Sequence, residues 1–234
     1  MTVTLLIPTL NEIDGMKAIM PRVKNEWVDQ LIIVDGGSVD GTTEYVKANG
    51  WTLIEQKQPG LRHAYNEALA RVTGDIVITF SPDGNSIPEL IPALIDKMNE
   101  NYDMVIVSRY LDNARSADDD LLTAFGNRLF TGTVNLLYGS RYTDCMVMFR
   151  AFKTRIFYDL ELNREDGFIL AEKLFGTRIG TEPLLSVRAA KRKLRVAEIP
   201  GDEPPRIGGQ RKLQIWRWGA AYYFQFVREL FVWR

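Results

Sequence analysis

The sequence predicts an α/β fold with a mostly parallel central sheet flanked by helices. Short apolar runs rich in Val and Ile alternate with segments of helical spacing, as in βαβ units. The connections between them are short and rich in Gly and Pro. Several of the apolar runs stop abruptly at polar turns, as buried strands do.

Residues 3–7 form the first strand, bounded by Pro8, and 16–23 have helical spacing. Residues 31–34 form a second strand that ends at Asp35-Gly36-Gly37-Ser38-Val39-Asp40-Gly41-Thr42. A short helix follows at 42–48, with Asp40 placed to cap it. A third strand at 52–55 leads to a helix at 62–71. Residues 75–80 are a buried strand that stops at Ser81-Pro82-Asp83-Gly84-Asn85, followed by a helix at 87–98 and a strand at 104–107. After Tyr110 the pattern changes. Asp118-Asp119-Asp120 precedes a long helical run at 121–138, where acids suit the positive end of the helix dipole. An acidic metal site is the alternative reading of those three. Residues 145–152 are a strand interrupted by Arg150, 182–191 a helix with a basic end, and 195–199 a strand. A Pro/Gly-rich loop at 200–209 leads to an aromatic helix at 213–234. The expected division is a catalytic domain over 1–212 and that terminal helix.

Length and composition bound the function. The chain has 234 residues, 46% hydrophobic and 25% charged, with a formal net charge of −1. These values fit one globular α/β domain and give no global sign of nucleic-acid binding. Cys145 is the only cysteine, so no intrachain disulfide forms, and a reducing compartment is compatible. His63 is the only histidine, which excludes a His-rich zinc site and argues against a His-based triad. The N-terminus lacks a basic region and reads as a strand, not a signal peptide. No apolar run reaches the roughly 18 residues that a spanning helix needs.

Chemistry is concentrated at three strand ends: Pro8-Thr9-Leu10-Asn11-Glu12, Asp35-Gly36-Gly37-Ser38, and the 81–85 turn. In a parallel sheet these ends line one crevice. Glu12 and Asp35 can accept hydrogen bonds from a ribose or a base. Asp83 and Asn85, two apart, can aim two oxygens at a hard cation, Mg²⁺ or Mn²⁺; the plainer reading is an Asx-type turn. There is no Walker-type loop and no GxGxxG.

The ordered series IPTLNE, VDGGSVDGT, PGLRHAYNEALARVTGD, SPDGN and SRY resembles a family 2 glycosyltransferase of GT-A fold. Within that family it is most similar to the dolichyl-phosphate mannose synthase-like, polyprenyl-phosphate branch, over about residues 3–213. The resemblance implies an inverting sugar transfer from a nucleotide-diphosphate sugar with a divalent metal. It implies that Pro8, Leu10, Glu12 and Asp35 form the nucleoside pocket, and that Ser81, Pro82, Asp83 and Asn85 form the metal-and-diphosphate turn. Arg109 falls on a phosphate-facing arginine. Asp144, with Phe149-Arg150, and Glu182 fall on catalytic-side motifs. Arg206 and Lys212 fall on a basic loop that closes over the donor. Three departures bear on these expectations. The family's Asp-x-Asp is Ser81-Pro82-Asp83 here, its acidic pair after the second strand is reduced to Asp35-Gly36, and its Ser-Gly before Phe-Arg is Met146-Val147-Met148.

The remaining residues keep two readings each. Arg62 is either a diphosphate ligand or a surface residue, and Arg128 either an acceptor-phosphate contact or part of a solvated helix face. Glu165-Asp166 could supply a base. A lipid-phosphate acceptor needs no base, being already ionised; a sugar hydroxyl would need Asp144, Asp166 or Glu182. The terminal segment, rich in Trp, Tyr and Arg, suits a membrane interface or packing on the core. The expected activity is transfer from a UDP- or GDP-linked sugar to a lipid-linked acceptor, in the cytoplasm or at the inner face of the membrane. Alternatives are transfer to a sugar hydroxyl in surface polysaccharide synthesis, a nucleotidyltransferase, and a non-catalytic nucleotide-sugar-binding protein. The state of assembly is left open.

Overall fold

The computed structural model describes residues 1–208 and 215–233. The strands are β1 (Val3–Thr9), β2 (Gln30–Asp35), β3 (Thr52–Glu55), β4 (Ile76–Thr79), β5 (Met104–Ser108), β6 (Arg150–Lys153) and β7 (Val196–Pro200). They form one sheet in the order β3-β2-β1-β4-β6-β5-β7. Every pairing is parallel except those of β6, which runs against β4 and β5.

The helices are α1 (Ile13–Ile19), α2 (Thr42–Ala48), α3 (Leu61–Leu69), α4 (Ile91–Asn99), α5 (Leu121–Tyr138), α6 (Thr154–Asp159), α7 (Ile169–Phe175), α8 (Glu182–Lys191) and α9 (Ile215–Glu229). Successive strand residues point to opposite faces, so the sheet divides the core in two. Leu5, Ile7, Ile33, Ile78 and Val105 pack with residues of α1, α2 and α4. Leu6, Ile32, Val34, Val77 and Ile106 face residues of α3, α5, α6, α7, α8 and α9.

The structure departs from the sequence reading where tertiary contacts override local pattern. The strand expected at 145–152 begins only at Arg150. The Asp144 carboxylate holds the Met146 and Val147 amides, and the Cys145 and Val147 carbonyls accept from the Arg150 guanidinium, so this backbone is spent before a sheet partner reaches it. The helix expected at 16–23 starts at Ile13 and stops at Ile19 before a 3₁₀ turn that carries Pro21. Helices α6 and α7 carry no such signal in the sequence. The strand formers of α6 (TRIFYD) are helical because Ile156 and Phe157 bury themselves there. As expected, Asp118-Asp119-Asp120 opens a helix: Asp120 caps α5 in a capping box with Thr123.

Helix α9 packs against α5, α7 and α8. Ala221, Phe226 and Trp233 enter the same core as β1 and β2. Glu229 is fully buried and pairs with Arg188 of α8 at 2.8 Å. The basic end of α8 turns to the same purpose, for Lys191 binds the carbonyls of Glu229, Leu230 and Trp233.

Candidate active site at the C-terminal edge of the sheet

The C-terminal ends of β1, β2 and β4 share one rim, because β1 lies between the other two and all three run parallel. Their loops are tied together. Asp35 Oδ2 accepts the Gly37 and Ser38 amides, each at 2.8 Å, and Oδ1 accepts the Ser38 hydroxyl. Ser38 Oγ accepts the Asn11 amide, and Asn11 Oδ1 accepts the Val39 amide, both at 2.8 Å. Asp40 caps two elements at once: one oxygen accepts from the Ile13 amide at the start of α1, the other from the Thr42 amide and hydroxyl. Burial opposes its charge, but the bonds from Thr42 and Ile13 outweigh it and hold this carboxyl below the usual range. Pro8 and Leu10 lie on the strand end beside this lattice.

The 81–85 turn is seated by two glycines. A Cβ on Gly15 of α1 would stand 2.4 Å from the Pro82 carbonyl oxygen and 2.9 Å from the Asp83 Cα. Gly84 has φ 96°, a region that disfavours side chains, and a Cβ there would meet Ile207 at 2.7 Å. Asp83 Oδ1 accepts the Asn85 amide at 3.1 Å, and the Asp83 carbonyl accepts the Ile207 amide at 2.7 Å. Asp83 Oδ2 pairs with Arg206 at 2.9 Å, and the same guanidinium reaches Glu12 at 3.3 Å. Glu12 and Asp83, from different strand ends, thus converge on one cation.

The turn opens on a cleft of about 400 Å³ that runs to the start of α5, to α8 and to α9. Among the described residues, Asp83, Asp118, Asp119, Glu182, Asp202 and Glu203 line it, against the guanidiniums of Arg109 and Arg206. A cleft this acidic admits a diphosphate only with added positive charge. The residues present fit a cation that shares its shell with substrate. Asn85 Nδ2 donates to Asp118 at 3.3 Å, while Asn85 Oδ1 is buried without a hydrogen-bond partner. No group of three or more His, Cys, Asp or Glu among the described residues could hold a metal alone. One carboxylate and one amide oxygen make a partial site, the kind that Mg²⁺ completes with water and phosphate oxygens.

Arg109 is fixed from below. Asp144, fully buried, takes its Nε at 2.6 Å and its Nη2 at 3.1 Å, and Glu203 takes Nη1 at 3.2 Å. Glu198 of β7 accepts the Thr143 and Asp144 amides and so holds Asp144 in place. Burial pushes the Glu203 carboxyl up, against the pull of Arg109 and Ser116. Arg150, also fully buried, ties the loop before β6 to α8 through Ser186 Oγ at 2.9 Å and the Glu182 carbonyl at 3.3 Å. Glu182 lines the cleft, and its Oε1 accepts the Tyr65 hydroxyl at 2.6 Å.

Several expected site residues stand elsewhere. Arg62 is buried, pairs with Glu165 and with Glu172 at 3.1 Å, and lies 4.6 Å from the centre of the Phe168 ring. It holds α7 to α3 and does not line the cleft. Its partners lie more than a hundred residues away, so its helix-start position alone suggested a ligand. Asp166 and Glu165 spend their charges on Arg164 and Arg62, outside the cleft. Asp144 serves Arg109 and is too enclosed to take a proton from substrate. Arg128 is exposed on α5, whereas Thr123 and Asn127 of the same helix line the cleft. Lys212 lies outside the described residues. Sequence reasoning passed over Glu203, Asn127, Trp218 and Tyr222, all of which line the cleft. Glu203 sits in an aperiodic Pro/Gly loop, and the two aromatics stand among six aromatic residues of one helix.

The sequence profile of Glycosyl transferase family 2 matches residues 4–161. The chain is 28% identical over 229 residues to "Glycosyltransferase AglJ" of Haloferax volcanii, covering 97% of this chain and 71% of that protein. It is 28% identical to the "Dolichyl-phosphate hexose transferase" of the same organism, with 82% and 77% covered. It is 27% identical to "UDP-N-acetylglucosamine--dolichyl-phosphate N-acetylglucosaminyltransferase" of Methanococcus voltae, with 84% and 83% covered. In fold it is similar to glucosyl-3-phosphoglycerate synthase from Mycobacterium tuberculosis, with a TM-score of 0.66 at 19% identity over 98% of this chain and 78% of that one. The fold is therefore of the GT-A type, and the chain, a glycosyltransferase, belongs to glycosyl transferase family 2.

Proposed function

We propose that the protein transfers a sugar, with inversion, from a UDP- or GDP-linked donor to a polyprenyl phosphate. The observation that carries this reading is the pairing of two charged poles in one cleft. At one pole Asp83, with Glu12 and Arg206, faces the strand ends; at the other Arg109 is held rigid by a buried carboxylate. Relatives named for dolichyl phosphate support the acceptor class.

In this reading Pro8, Leu10, Glu12 and Asp35 border the nucleoside. Ser81, Pro82 and Asp83 face the diphosphate, with Arg206 and Lys212 as its cationic cover. Asp83 and Asn85 would hold Mg²⁺ or Mn²⁺, which when bound supplies the charge that stabilises the departing diphosphate. Arg109 orients the acceptor phosphate, which attacks the anomeric carbon opposite the leaving group and needs no base, and Arg128 adds positive charge on the exposed side of α5. A sugar-hydroxyl acceptor is the second reading, and Glu182 is the observation that favours it, as the one expected base that reaches the cleft.

The acceptor implies work at a membrane surface. No helix among the described residues is long and apolar enough to cross a bilayer. Helix α5 exposes Leu122, Phe125, Leu129 and Leu136 at helical spacing, and α9 exposes Trp216, Tyr223 and Val227. These faces suit peripheral attachment at the inner face of the membrane. The test is incubation with a panel of UDP- and GDP-sugars, Mn²⁺ and a short isoprenyl phosphate, read by mass spectrometry. A sugar-phospho-isoprenyl product is expected. Transfer only to free sugars would move the assignment to the second reading, and hydrolysis without any transfer would contradict both.

A further inference from the structure

Segment 201–208 crosses the cleft and carries charges of both signs to the charges that substrates would use. Arg206 lies on Asp83 at 2.9 Å and on Glu12 at 3.3 Å. Three residues earlier, Glu203 lies on Arg109 at 3.2 Å, on the Nη1 that Asp144 leaves open. A carboxylate and a phosphoryl anion engage a guanidinium in the same way, so Glu203 stands where an anionic substrate would bind Arg109.

Glu203 is held there by more than that pair. Its amide donates to the Arg115 carbonyl at 2.9 Å, its carbonyl accepts the Ala117 amide at 2.8 Å, and its carboxylate accepts the Ser116 hydroxyl. Between Glu203 and Arg206 stand Pro204 and Pro205, whose rings fix φ and stiffen the link. Through so stiff a link, a displacement of Arg206 would strain the bonds that hold Glu203. A diphosphate arriving beside Asp83 offers Arg206 a new partner.

We propose that Glu203 is a positioning residue that keeps phosphoryl anions off Arg109 until the donor draws Arg206 away from Asp83, so that the acceptor phosphate enters second. This rests on the polyprenyl-phosphate reading above. The phosphoryl group at Arg109 could belong to donor or acceptor, and the experiment separates the two.

The experiment is calorimetric titration of a ten-carbon isoprenyl phosphate into wild type, Glu203→Gln and Ser116→Ala. Each is run with and without saturating nucleoside diphosphate, UDP or GDP, whichever wild type binds, in the presence of Mn²⁺. For wild type, the nucleotide tightens isoprenyl phosphate binding about tenfold, the size of one charged hydrogen bond exchanged. In Glu203→Gln the isoprenyl phosphate binds without nucleotide as tightly as it binds wild type with it, and the nucleotide itself binds up to about tenfold tighter, since it no longer has to part Glu203 from Arg109. Ser116→Ala, which loosens Glu203 but keeps it, shifts part of the way; it carries the test should Glu203→Gln fail to fold. Folded variants in which isoprenyl phosphate binding stays weak without nucleotide overturn the role of Glu203. So does tightening of the nucleoside diphosphate with no tightening of the isoprenyl phosphate, which would give Arg109 to the donor. Wild type that binds nucleotide but never isoprenyl phosphate overturns the acceptor reading itself.

Discussion

Gly15 shows how much of the site depends on single positions. The sequence reading left it just before the first expected helix, yet α1 includes it and rests its backbone on the 81–85 turn at this point. Gly15→Ala should cost about 1–3 kcal/mol through overpacking and shift Asp83. Thermal melts should show the loss, and donor affinity should fall further than the drop in stability explains. Unchanged melting and affinity would mean that the turn has room to move. That Glu12, Asp35, Asp83 and Asn85 stand at neighbouring strand ends was legible, because polar turns that close parallel apolar runs share one rim. The ion pairs of Arg62 and Asp144 were not legible because their partners are distant in sequence, and no local pattern separates a buried ion pair from a ligand.

At the scale of elements, the sheet was legible from apolar runs, while the order of its second half was not. The reversal of β6 depends on where its chain arrives, not on its composition. Asp103 is the joint there. Its carboxylate takes Lys153 of β6 at 2.8 Å and the Arg195 amide before β7 at 3.0 Å. Burial pushes its carboxyl up, and those partners pull it further down, to below the usual range. A depressed carboxyl stabilises the fold above its unfolded value of about 3.9 and loses that contribution as pH falls through the folded value. Asp103→Asn should therefore lower stability by about 1–2 kcal/mol at pH 7, with the gap to wild type closing below about pH 4. Denaturant melts at both pH values check this. An equal gap at pH 3 and pH 7 would show that the loss is steric and not electrostatic.

For the molecule as a whole, α9 carries both a cleft wall and an outer face. Trp218 and Tyr222 line the cleft, and Tyr222 accepts the Gly180 amide at 2.8 Å just before Glu182. Composition alone could not separate these duties, because the helix is aromatic on every side. If the outward faces of α5 and α9 meet a bilayer, Phe125→Glu with Leu129→Glu should reduce sedimentation with anionic liposomes at least roughly tenfold, since burying a Phe or Leu contributes about 1.5–3 kcal/mol each. Those substitutions should leave nucleotide binding intact. Liposome binding that survives them would move the attachment elsewhere.

The most direct measurement is titration of UDP and GDP into wild type and Asp83→Ala, each with Mn²⁺ and with EDTA, followed by thermal melts. The account predicts that one nucleotide binds wild type and, at a hundredfold excess over its Kd, stabilises it by about 2.7 kcal/mol. It also predicts that EDTA and the substitution each weaken that binding, and that EDTA adds little once Asp83 is gone. Nucleotide binding that is equally tight in Asp83→Ala, or indifferent to Mn²⁺ in wild type, would contradict it.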